Sequence, residues 1–129
     1  MCIRDSLYLA KGKHLLHGDF YPGSWLKTAN GLKVIDPEFG FVGPAEFDVG
    51  VLVAHLLMAQ QPSETIKVFL STYEASSDFN QSLFARFTGI EIFRRLIGIA
   101  QLPLSLTLLQ KKNLLETAAD YIISERIEL

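Results

Sequence analysis

The sequence predicts an α+β fold that is predominantly α, and three observations predict it. Two short apolar runs, Ser24-Trp25-Leu26-Lys27 and Leu32-Lys33-Val34-Ile35, flank Thr28-Ala29-Asn30-Gly31, and Asn-Gly between apolar runs is the pattern of a β-hairpin. From Glu46 to the C-terminus, the residues read as helices only. With 129 residues, 49% of them hydrophobic and 20% charged, the chain can bury one modest core, so hairpin and helices belong to a single domain.

Taken in order, Ser6 to Lys13 resemble the last turns of a helix, and His14 to Leu16 lead into the break at His17-Gly18-Asp19. The hairpin follows, and Asp36 to Pro44 form a Gly- and Pro-rich irregular stretch. Phe47 to Ala59 is apolar nearly all round, which marks a buried core helix. Gln60-Gln61-Pro62 ends it, and Ser63 is placed to cap a helix from Glu64 to Tyr73. Another helix runs from Gln81 to about Gln101, stopped by Leu102-Pro103, and a last amphipathic helix spans about Thr107 to Arg126. Met1 to Ser6 fit nothing that follows. They are expected to be a non-native leader, with the domain occupying residues 7–129.

Composition excludes several function classes. The longest apolar stretch, Val49 to Met58, is far shorter than the roughly 20 residues that span a bilayer. Met1 to Ala10 lack the apolar run of a signal peptide, and a single cysteine, Cys2, allows no internal disulfide, so the expected compartment is the cytoplasm. A net charge of −2 without a basic stripe gives no footprint for nucleic acid or for an anionic membrane surface.

The chemistry concentrates around the hairpin, where Asp19, Asp36, Glu38, Glu46 and Asp48 are interleaved with Gly, Pro and aromatic residues. A hairpin returns the chain on itself, so the loop entering its first strand, with Asp19, and the loop leaving its second, with Asp36, share one open end. Pro37 is expected to hold Asp36 extended, and side chains two apart on an extended segment point the same way. Asp36 and Glu38 would then converge on one cation, and two carboxylates completed by water and phosphate oxygens suit Mg²⁺. Asp19, across the gap, would act on a substrate hydroxyl. Glu46 reads as an ordinary acid, and His55 as a satisfied core histidine. Trp25, Phe39 and Phe41 could line a substrate pocket, but aromatics beside a hairpin are more often core.

His17-Gly18-Asp19-Phe20-Tyr21-Pro22-Gly23-Ser24, followed by Val34-Ile35-Asp36-Pro37-Glu38-Phe39, resembles the catalytic and metal loops of the aminoglycoside-phosphotransferase-like kinases, a superfamily with the protein-kinase fold. Protein kinases use His-Arg-Asp, an Asn five positions after the Asp, and Asp-Phe-Gly for these tasks. Here the motifs are His-Gly-Asp, Ser24 at the fifth position, and Asp-Pro-Glu. Together with Phe47-Asp48-Val49-Gly50, this pattern is more similar to the methylthioribose kinases than to the antibiotic kinases of the superfamily.

The resemblance implies a fragment of a kinase C-terminal lobe, with the catalytic hairpin followed by a helical bundle, and transfer of a phosphoryl group from ATP to a hydroxyl of a small sugar-like molecule. ATP and Mg²⁺ would be the cofactors, the small molecule the partner, and pairing of two copies compatible with it. Asp19 would be the catalytic base. Asp36 and Glu38 would hold Mg²⁺, with Ser24 as a weaker third ligand because a neutral hydroxyl is a poorer ligand than the amide it replaces. His17 would pack behind the loop, and Asp48 would accept hydrogen bonds from the loop backbone. The sequence holds no Gly-rich phosphate loop and no strand lysine of the Val-Ala-Ile-Lys type, so the chain alone is expected to be inactive.

Arg94 and Arg95 sit inside an apolar helical run, about 100° apart around the axis, so at least one needs an anionic partner. Two readings stand: ion pairs with Glu91 or Asp48, or contact with sugar and transferred phosphate, as the resemblance implies. Rival functions also stand. Acceptors such as an aminoglycoside, choline or homoserine would change the substrate. His14, His17 and Asp36 could serve a metallohydrolase, although their spacing fits no zinc pattern well. The helices could instead form a non-catalytic binding module.

Overall fold

The computed structural model describes residues 12–129. The leader expected at residues 1–6 lies outside them, as does the predicted first helix up to Lys11; Gly12 and Lys13 are irregular backbone. Strands β1 (His14–Leu16), β2 (Trp25–Thr28), β3 (Gly31–Val34) and β4 (Phe41–Gly43) form two antiparallel ladders, β1 with β4 and β2 with β3. Helices α1 (Glu46–Met58), α2 (Ser63–Thr72), α3 (Gln81–Leu96) and α4 (Leu108–Ser124) follow.

The hairpin forms with its turn one residue earlier than Asn-Gly chemistry suggested. Ala29 and Asn30 are the central pair, neither with positive φ, and the positive φ falls on Gly31 at 101°. The Thr28 hydroxyl donates to Gly31 O and accepts from Asn30 N, closing the turn. The β1–β4 ladder was not expected. It matters because Leu16 pairs with Phe41 while Trp25 pairs with Val34, so the loop from His17 to Ser24 and the loop from Ile35 to Gly40 are clamped together at both ends.

Helix α1 is buried nearly all round, as its composition requires, and packs on α3, which in turn packs on α4. Small residues set the closeness of both contacts: a Cβ at Gly50 would lie 2.9 Å from Phe87 Cβ, and one at Gly89 would lie 2.6 Å from Ala118 O. The core divides into a cluster of Leu16, Phe47, Val51 and Phe87 beneath the ladder, a second around Val53 and Ile66, and a third around Ala54, Ile92 and Ala118. Phe41 packs on the first of these, as expected for a core aromatic. Glu46 is no idle acid. It is buried, and its carboxylate accepts the backbone N–H of Asn80, which itself caps α3 by accepting from Leu83 N.

Several boundaries moved for local reasons. Ser63 is the first helical residue rather than the cap; its hydroxyl bonds to Glu64, and Pro62 precedes the helix. Helix α3 stops at Leu96, ahead of the expected Gln101, because Ile97 N and Gly98 N both return to Phe93 O and a Cβ at Gly98 would lie 2.6 Å from Arg94 O. Helix α4 begins after Thr107, which forms a capping box with Gln110, and ends where Glu125 turns left-handed at φ 59°. Among the described residues, no helix is long and apolar enough to cross a membrane.

Candidate active site

The site is built from the two clamped loops and the C-terminal end of α3. Asp48, in the first turn of α1, accepts His17 N at 2.6 Å and Gly18 N at 3.0 Å, one on each carboxylate oxygen. Gly18 is required where it stands: its φ is +84°, and a Cβ there would meet Phe39 O at 2.1 Å, so the two loops pack backbone against backbone. The His17 ring joins them a second time. Its Nε2 lies 2.8 Å from Ile35 O and its Nδ1 accepts Asp19 N at 3.3 Å, which assigns the hydrogen of a neutral ring to Nε2. Ser24 is buried, donates its hydroxyl to Asp19 O at 2.8 Å, and through its own carbonyl accepts Ile35 N.

Asp36 departs from the extended geometry expected before proline. Its φ of 60° and ψ of 52° are left-handed, and Pro37–Phe39 form one 3₁₀ turn. Asp is among the few residues that tolerate this region, and the turn winds the loop back so that Gly40 can enter β4. Both Asp36 and Glu38 face solvent. They therefore do not share a face through strand alternation; any common target would be reached through the 3₁₀ turn.

Asp19 comes together with Arg94 and Arg95, although Arg95 lies 76 residues further along the chain. Arg95 Nη2 donates to Asp19 Oδ1 at 2.7 Å, and Arg94 Nη2 lies 4.0 Å from the same oxygen. Both arginines also hold Glu91: Arg94 through Nε at 2.7 Å and Nη2 at 3.0 Å, Arg95 through Nε at 2.7 Å. The ion-pair reading with Glu91 is thus met, Asp48 is committed to the loop backbone, and the arginines reach Asp19 as well. His55 completes the chain with Nε2 3.2 Å from Glu91 Oε1, its ring 4.5 Å from that of Tyr21 in the catalytic loop. His55 is a satisfied core histidine, as expected, though the partner is one that local sequence did not reveal.

Glu91 is only 2% exposed. Burial alone would raise its pKa, but hydrogen bonds from His55, Arg94 and Arg95 more than offset that and hold it down to about 2, against an ordinary value of 4.5. A depressed carboxylate stabilises the fold above its unfolded pKa and loses that contribution as the proton binds. Stability should therefore be complete above about pH 4.5 and decline toward pH 2, by on the order of 3 kcal/mol from this one group. Denaturant unfolding at a series of pH values checks it: Glu91→Gln should flatten the profile in that window, and an unchanged slope would contradict the assignment.

Asp19, Arg94 and Arg95 line a cavity of about 910 Å³ whose other wall is apolar, with Phe39, Phe47, Ile90, Phe93 and Ile99. Phe39 corrects the core expectation: it is 62% exposed and belongs to this wall. Trp25 packs instead on Phe20 at 5.6 Å, with its indole Nε1 buried and unpartnered among the described residues. Asp36 and Glu38 do not line the cavity, although Phe39, next to Glu38 in the chain, does. Among the described residues no cluster of three or more His, Cys, Asp or Glu side chains could cage a metal. Two exposed carboxylates two positions apart fit a different demand, a Mg²⁺ bound mainly by water and phosphate oxygens.

A carboxylate 2.7 Å from one guanidinium and 4.0 Å from a second, on the wall of one cavity, is a charge arrangement that suits phosphoryl chemistry. Residues 4–84 match the model of the phosphotransferase enzyme family, and the chain belongs to that family. Membership displaces the metallohydrolase reading. The chain is 39% identical to the methylthioribose kinase of Exiguobacterium sibiricum over 112 residues, which is 82% of this chain and 28% of that protein. It is 30% identical to the methylthioribose kinase of Bacillus velezensis in an alignment of 160 positions that covers 96% of this chain and 40% of that protein. A shorter match, 48% over 52 residues, joins it to the methylthioribose kinase of Escherichia coli O45:K1, covering 40% of this chain and 12% of the relative. The chain thus spans well under half the length of the curated relatives it matches.

Proposed function

We propose that this sequence, carried in a protein of its relatives' length, is the catalytic half of a kinase that transfers the γ-phosphoryl group of ATP to a hydroxyl of methylthioribose. The observation that supports this most is the meeting of Asp19 with Arg94 and Arg95 in one cavity. Asp19 orients the acceptor hydroxyl and takes its proton. The two guanidiniums offset negative charge that builds on the transferring group, a task that needs positioning more than covalent chemistry. Asp36 and Glu38 would hold Mg²⁺, which when bound neutralises the ATP phosphates. Ser24, expected as a third ligand, is assigned to the loop, since its hydroxyl already secures the carbonyl of Asp19. His17 and Asp48 fix the backbone on which Asp19 rides.

The relatives' names and the cavity support this choice of substrate. An apolar wall opposite a charged one suits a sugar bearing a methylthio group. Among the residues that line the cavity, Arg94 and Arg95 outnumber the one acid, Asp19, which disfavours a polycationic aminoglycoside or choline. The cytoplasm is the compartment that fits ATP-dependent work by a chain with a single cysteine. Since the sequence holds no phosphate loop or strand lysine, the 129-residue chain by itself should give no turnover. The test is an ATP-consumption assay of the full-length protein with methylthioribose, an aminoglycoside, choline and homoserine. Methylthioribose should have the highest kcat/KM; preference for another acceptor would overturn the substrate, and no transfer to any acceptor would overturn the reaction.

A further inference from the structure

Glu91 lies outside the residues the sequence marked for chemistry, yet it is the hub of the site. One buried carboxylate receives three bonds from two guanidiniums and one contact from His55. The spacing of Glu91 to Arg94 and Arg95, three and four residues on a helix, puts all three side chains on one face. Arg95 is gripped by its Nε, so its Nη2 is the end that reaches Asp19. Arg94 is gripped along its Nε and Nη2 edge, which stops it 4.0 Å short of the same oxygen.

We infer that Glu91 is the positioning residue of the transfer reaction, holding the two arginines so that one contacts Asp19, the other stands back, and both face the cavity. The physical need is a balance of charge. Two guanidiniums shared between two carboxylates leave Asp19 only partly engaged and available to a substrate hydroxyl. With the Glu91 charge removed, both cations would turn on Asp19, pairing the base more tightly and drawing them away from the phosphoryl group. His55 supports this from behind. Its ring lies between Glu91 and Tyr21, so the carboxylate is tied both to α1 and to the loop that carries Asp19. Besides His55, the charged groups bonded to Glu91 are these two arginines, and Asp19 is the second acid that they reach.

The inference rests on the phosphoryl-transfer reading, and the experiment separates the two. In the full-length protein, Glu91→Gln keeps the shape of the side chain and removes its charge. The expected result is a kcat lowered by ~10²-fold, as for a misplaced catalytic group, with the KM for ATP unchanged and the thermal transition still cooperative. Should Glu91→Gln not fold, Glu91→Asp keeps the buried charge but shortens its reach by one methylene, and the same split of kcat from KM is expected. Wild-type kcat in a folded variant would overturn the role of Glu91 while leaving the kinase reading intact. Inactivity of the wild-type protein on every acceptor would overturn the kinase reading, and the role with it. A second readout needs no variant: in the wild-type protein the Nε–H signals of Arg94 and Arg95 should resist solvent exchange. Exchange as fast as that of the exposed Arg126 would contradict the grip.

Discussion

Asp19→Asn in the full-length protein should lower kcat by ~10³-fold, within the range that a positioned general base contributes, while the protein still folds. The substitution keeps the size of the side chain and one oxygen for Arg95 Nη2, now 2.7 Å from Oδ1, but removes the basic oxygen that would take the hydroxyl proton. The pair it weakens is partly solvated, with the Asp19 side chain 26% exposed, so the melting temperature should change little. Rapid-quench measurement of phosphoryl transfer, set beside a thermal melt, checks both halves. Wild-type transfer would remove Asp19 from the chemistry. A collapsed melt would instead make it a structural residue.

Asp48→Ala should produce the second large effect, on stability and activity together. The carboxylate accepts His17 N at 2.6 Å and Gly18 N at 3.0 Å, and no other partner for these amides follows from the local backbone. Hydrogen bonds to a charged group contribute roughly 1.5–3 kcal/mol each, so losing both acceptors should cost about 3 kcal/mol or more. The loop that carries Asp19 would lose its tether to α1, and kcat should fall even in molecules that remain folded. Urea titration with a parallel assay at low temperature separates the two contributions; a full-strength enzyme of wild-type stability would show that the tether is dispensable.

Much of the fold could be read locally because its signals are local. The hairpin announced itself by apolar runs around a Gly-containing turn, and α1 by an apolar composition on every face, both properties of a dozen neighbouring residues. The β1–β4 ladder escaped because three-residue strands show no usable alternation and their pairing spans 25 or more positions, from Leu16 to Phe41. Asp36 was misjudged because the steric preference of a residue before proline was outweighed by the need to turn between two fixed strand ends. Helix α3 was drawn too long because Ile97 and Ile99 continue the apolar run, whereas the break is set by backbone contacts at Gly98.

The site divides in the same way. Asp19, Asp36 and Glu38 stood out as acids in Gly- and Pro-rich loops, and Asp48 as an acid at the start of an apolar helix. The arginines were visible as cations in an apolar helix, with Glu91 as one possible partner, but Asp19 as their other partner was not. Glu91 carried a faint signal, an acid between Ile90 and Ile92 with helical spacing to both arginines. That the same pair also reaches Asp19, and that His55 backs Glu91, depends on how α1, α3 and the catalytic loop pack, which no local pattern encodes.

The most direct test of phosphoryl transfer at this site follows the label itself. The full-length protein is incubated with ATP labelled at the γ-phosphate, Mg²⁺ and methylthioribose, and the products are separated. Label is expected in the sugar as a stable phosphate ester, formed by the wild-type protein and not by Asp19→Asn. Label appearing only as inorganic phosphate, or reaching the sugar equally well in both proteins, would contradict it.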